Sequence, residues 1–126
     1  MKAAMRTFSK RAALALAVVA APMAASAHTH MVSANPAPNA TVPAAPKDLQ
    51  LNFSEAVLPK LSTVQLAQVG GAAVHTGDAV VDPKNKKHVS VPLHGDLAPG
   101  AYKVSWSVVS ADSHKMKGDY TFTVKR

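Results

Sequence analysis

Asp112 and His114 stand one residue apart in the run Ser110-Ala111-Asp112-Ser113-His114. If the preceding alternating strand continues through them, both point to one face, with Cα atoms about 6.5–7 Å apart. A carboxylate and an imidazole at that separation suit one metal ion. The spacing alone is weak, because the same pair also occurs at exposed loop ends. Its weight comes from His28, which follows Ala25-Ser26-Ala27. Upstream lie Lys2, Arg6, Lys10 and Arg11, then the uncharged run Ala12 to Ala21, then Pro22. A basic start, a short apolar stretch and a small-residue site read as a cleaved secretory signal over 1–27, with a single domain over 28–126. The alternative, an uncleaved membrane anchor, is disfavoured because the run is short for a bilayer and no second hydrophobic segment follows it.

Cleavage after Ala27 puts an α-amine and an imidazole on the same residue. Such an amine ordinarily titrates at about 7.7–8, so it yields its proton to a metal more readily than a lysine does. His28, Asp112 and His114 together offer an amine nitrogen, two imidazoles and a carboxylate. Such a mixed nitrogen–oxygen set favours copper(II) over hard cations, and the Irving–Williams order places copper above zinc. His30 opens another mode, in which a free amine, two deprotonated backbone amides and the His30 ring wrap the ion without Asp112 or His114. We favour the His28, Asp112, His114 set, since both side-chain types are suitable copper(II) ligands.

The composition narrows the remaining chemistry. There is no cysteine, which removes disulfides, thiolate metal sites and a cysteine nucleophile, and excludes a blue-copper centre. Fourteen basic residues stand against seven acidic ones. With the four basic residues of the signal removed, ten face seven and the net charge falls from +7 to about +3, too little for a nucleic-acid partner. Lys84, Lys86 and Lys87 are expected at a hairpin tip as a solvated turn; docking to an anionic surface is the other reading. His75, His88 and His94 read as turn and strand-surface residues, and Met31 and Met116 as packing residues.

The elements that must position these residues are strands. Leu49, Leu51 and Phe53 alternate with polar neighbours. So do Val64 and Leu66; Val89, Val91 and Leu93; Tyr102, Val104, Trp106 and Val108; and Tyr120, Phe122 and Val124. Period-two alternation buries one set of side chains. Breakers separate the runs: Asn35-Pro36-Ala37-Pro38, Pro43 to Pro46, Gly70-Gly71, Asp82-Pro83-Lys84-Asn85 and Pro99-Gly100. No segment after the signal holds a helical apolar period. The prediction is an all-β antiparallel Greek-key sandwich or barrel, with Trp106 as its core anchor.

The start His28-Thr-His-Met-Val-Ser-Ala-Asn-Pro, the segment Leu51-Asn-Phe-Ser-Glu55, and the run from Gly100 through Tyr102, Trp106, Asp112 and His114, with Gly118 to Val124 after it, resemble the CopC family of periplasmic copper-resistance proteins. The resemblance covers essentially all of the chain after the signal. It implies a cupredoxin-like or immunoglobulin-like β fold in the periplasm, a monomer without catalytic role or stable membrane insertion. His28, Asp112 and His114 match the family's copper(II) ligands, and Glu55 matches an acidic residue near that site, as a supporting or weak ligand or as a plain strand-end carboxylate. The ion is expected to be buffered or passed to a CopD-like inner-membrane transporter. Some members carry a methionine-rich copper(I) site in mid-chain. Residues 32 to 115 contain no methionine, so that site is expected to be absent.

Two other functions stay open on sequence. One is an oxidative copper enzyme built on a terminal histidine, although 99 residues leave little room for a flat substrate platform. The other is an immunoglobulin-like adhesion module whose histidines are incidental. A triad hydrolase is disfavoured because no serine sits in a nucleophile-elbow motif.

Overall fold

The computed structural model describes residues 30–126. The expected signal (1–27) and His28 lie outside the described residues.

Alternation becomes two facing sheets. Their strands are β1 (Met31–Asn35), β2 (Thr41–Val42), β3 (Asp48–Phe53), β4 (Thr63–Gln68), β5 (Ala73–Val74), β6 (Val80–Val81), β7 (His88–Pro92), β8 (Gly100–Val109) and β9 (Lys115–Val124). One sheet has the order β1-β3-β7-β6 and the other β2-β9-β8-β4-β5. The pairings are antiparallel, as the short strands and turns predict, with one exception: the two-residue β2 runs parallel to the end of β9. The five alternating runs correspond to β3, β4, β7, β8 and β9. Leu93 lies just past β7 and reaches Thr76 through an isolated bridge.

The inward sets meet between the sheets. Leu49, Leu51, Phe53, Val89 and Val91 come from one side; Val64, Leu66, Tyr102, Val104, Val108, Phe122 and Val124 come from the other. Each such aliphatic or aromatic side chain, fully buried, contributes about 1.5–3 kcal/mol. With no disulfide, this core must hold the domain.

Trp106 joins the sheets. Its ring meets Phe53 edge-on, with centroids 5.3 Å apart and planes at 76°. The indole also lies across Gly118, its register partner on β9. A Cβ at Gly118 would sit 2.2 Å from the indole Cζ2, so only glycine admits the ring there. On the same sheet Tyr102 stacks on its cross-strand partner Phe122 at 5.6 Å, and its hydroxyl donates to the Ala98 carbonyl.

The fold departs from expectation where the candidate ligands lie. The alternation of β8 does not run on through Asp112 and His114. The strand stops at Val109, Ser110 forms one bridge to Val57, and residues 111–114 turn into β9. Ser113 takes a left-handed φ of 70°, a conformation outside both strand and helix that reverses the chain.

Candidate metal centre

The turn is built on a buried serine. Ser110 is fully enclosed. Its N–H donates to the His114 carbonyl at 2.9 Å, and its own carbonyl accepts the Ser113 N–H at 2.9 Å. The Ser110 hydroxyl donates to Asp112 Oδ1. Asp112 Oδ2 lies 2.9 Å from His114 Nδ1. A serine at one end of the turn thus aims a carboxylate, and the carboxylate aims an imidazole.

These contacts set the charge of Asp112 and the tautomer of His114. The Ser110 hydroxyl first, and the His114 ring second, hold the Asp112 carboxyl down at about 2, from an ordinary 3.8. An ionised carboxylate only accepts, so Nδ1 of His114 carries the proton of their hydrogen bond, which leaves Nε2 as the ring nitrogen that a metal would take. Carboxylate-oriented imidazoles of this kind are common metal ligands, because the hydrogen bond fixes the tautomer and raises basicity. The Asp112 carboxylate, which also accepts from the His114 backbone, keeps lone-pair capacity for a cation. Both side chains are about half exposed, 49% for Asp112 and 59% for His114, so an ion can reach them from solvent.

Two neighbouring segments brace the turn. Ala111 N–H donates to the Ala56 carbonyl at 2.9 Å, and Leu58 N–H to the Val109 carbonyl at 2.8 Å. Two residues before Ala56, Ser54 is paired with His30 in both directions: His30 N–H donates to Ser54 Oγ at 3.0 Å, and Ser54 N–H to the His30 carbonyl at 2.9 Å. Backbone bonding therefore links His30, through Ser54 to Ala56, with the Asp112 turn. Glu55 sits half-buried within that link.

The other expected residues fall as follows. Lys84, Lys86 and Lys87 occupy an exposed turn between β6 and β7, as the sequence predicts. That turn also abuts the same end of the molecule, since the carbonyls of Lys86 and Lys87 accept the N–H groups of Val57 and Phe53. His88 sits on the strand surface with Nδ1 2.7 Å from Asn52 Oδ1. Met31 and Met116 pack half-buried against the core. Among the described residues no three or more His, Asp or Glu side chains gather around one point; the turn brings together two, Asp112 and His114. Sequence reading missed Ser110. Its signal was present, a serine two residues before an aspartate, the pattern of a side chain that closes a local turn.

The fold is thus a two-sheet β-sandwich that carries a carboxylate–imidazole pair on an end turn. Residues 31–125 match the CopC domain, and the chain belongs to the CopC family. It is 43% identical over 99 residues to Protein YobA of Escherichia coli, covering 79% of this chain and 80% of that one. It is 38% identical over 117 residues to Copper resistance protein C of Escherichia coli, covering 86% and 90%. Among solved structures it resembles CopC from Methylosinus trichosporium, with a TM-score of 0.73 and 31% identity, covering 78% of this chain and 94% of that one. No helix among the described residues is long and apolar enough to cross a membrane.

Proposed function

We propose that this chain is a periplasmic copper(II)-binding protein that buffers the ion or passes it to a CopD-like inner-membrane transporter, and that it catalyses no reaction. The reading rests on the Asp112–His114 pair, held at 2.9 Å on a turn that backbone bonding ties to His30. Family membership and a relative named for copper resistance support the cargo.

The proposed ligands are the amine and ring of His28, with Asp112 and His114. Asp112 supplies negative charge and leaves Nε2 of His114 as the ring nitrogen for the ion. Glu55, within the segment that braces the turn, is proposed only as a supporting or weak ligand. The competing mode that wraps the ion in backbone amides is disfavoured by one observation. It requires the His30 amide to lose its proton, and that N–H donates to Ser54 at 3.0 Å.

The test is a copper(II) titration of the signal-cleaved protein, with the mass of its N-terminus measured first. One tight equivalent is expected, weakened about 100-fold in His114→Ala and lost in a chain carrying one extra residue ahead of His28. Unchanged affinity in the extended chain refutes the ligand set.

A further inference from the structure

Two of the six histidines come together away from this turn. Thr76 and Leu93 form an isolated antiparallel bridge. In an antiparallel pair, the residue before one partner faces the residue after the other, so His75 stands opposite His94 on one face. Their rings stack with centroids 5.4 Å apart and planes within 20°. His75 and His94 are both exposed at the surface.

The backbone holds this approach. Gly77 N–H donates to the Pro92 carbonyl at 2.8 Å, and Leu93 N–H to the Lys47 carbonyl at 3.0 Å. A Cβ at Gly77 would lie 2.5 Å from Pro92 Cγ, so glycine is what lets the two segments close. Gly95, at φ 77°, turns the chain directly after His94. The pair lies beyond the Pro92 end of β7, whereas the His88 end is next to the lysine turn that abuts residues 53–57. The length of β7 separates the two places, about 15 Å at roughly 3.3 Å per residue.

Two imidazoles on facing positions are the start of a transition-metal site. A late first-row ion holds each nitrogen at about 2.0–2.1 Å, which places two nitrogens on one ion about 3 Å apart. The stacked rings reach that separation by tilting their edges together, and neither ring belongs to the core cluster that such a tilt would disturb. Imidazole pairs select late divalent ions rather than hard cations, with copper(II) foremost. Water completes the coordination, since no third His, Asp or Glu joins the pair among the described residues.

We propose that His75 and His94 form a second, weaker site for a late first-row divalent ion, copper(II) by preference. The proposal goes beyond the reading of the Asp112 turn and does not rest on it.

The test follows the histidine ring protons by NMR while the signal-cleaved protein is titrated with copper(II) past one equivalent. The His75 and His94 resonances should broaden together in the second equivalent while those of His88 stay sharp. His75→Ala and His94→Ala should each weaken the second equivalent about tenfold or more and leave the first unchanged. In His114→Ala the pair should still respond. That arm separates the two readings: a first equivalent indifferent to His114 defeats the turn site, with the paired response intact. Broadening spread evenly over His75, His88 and His94, or a second equivalent indifferent to His94→Ala, overturns the paired site.

Discussion

The Ser110–His114 turn and the His75–His94 edge each bring two side chains within reach of one ion, and they differ in what holds those side chains. In the turn, a buried hydroxyl fixes a carboxylate and the carboxylate fixes the ring, so charge and tautomer are set before any ion arrives. At the edge, a glycine and two backbone hydrogen bonds fix only the strands, and the rings merely stack. The difference is one of preorganisation, which raises affinity by reducing what binding must order. A family member without mid-chain methionine can therefore keep one firm and one labile imidazole position on a single sandwich.

Several substitutions would sharpen or break this contrast. The largest effect is expected from Trp106→Ala. It empties the contact with Phe53 and Gly118 and should cost about 3–5 kcal/mol in urea unfolding, a large share of the stability of a small domain. Both positions share this frame, so both copper equivalents should weaken. Loss of one alone would show that the two ends are supported separately.

His114→Ala comes next. The first copper(II) equivalent should weaken about 100-fold, or ~2.8 kcal/mol at 1.4 kcal/mol per decade, measured by competition with a chelator of known affinity. Asp112→Asn keeps the shape but removes the charge and lets the His114 tautomer change. It should cost about 10–100-fold in the first equivalent and nothing in the second. An equal loss in both would erase the distinction.

The smallest change is expected from Ser110→Ala. Asp112 should then titrate above about 2, toward its ordinary 3.8. The sign follows from linkage. A carboxylate with a depressed folded pKa contributes stability that is present above the unfolded value and lost as pH falls through the folded one. Without the serine hydroxyl that contribution shrinks and disappears at higher pH, which the Asp112 carboxyl carbon reports in an NMR titration.

Most of the sandwich could be read from alternation, because burial on one face imposes period two wherever a strand is long. Leu49 to Phe53, Tyr102 to Val108 and Tyr120 to Val124 all carry it, and all are strands. The same signal misled at the site. Val108, Ser110, Asp112 and His114 continue the period, yet the strand ends at Val109, where a buried hydroxyl closes a turn that periodicity cannot detect. The two-residue strands β2, β5 and β6 are too short to alternate visibly, and the parallel pairing of β2 with β9 depends on the path of the chain. His75 and His94 were legible as residues but not as neighbours, since one isolated bridge brings them together. The part of the ligand set at His28 lies outside the described residues and remains a proposal.

The brevity of the outermost strands has a consequence of its own. β2, β5 and β6 are two residues each, and β1, the longest strand at a margin, carries a register shift between Met31 and Ser33. Among the described residues, a second polypeptide seeking to add itself to either sheet finds no long straight row of unsatisfied amides to copy. For a chain with no covalent cross-links, that interruption defends against runaway self-assembly by geometry rather than by chemistry.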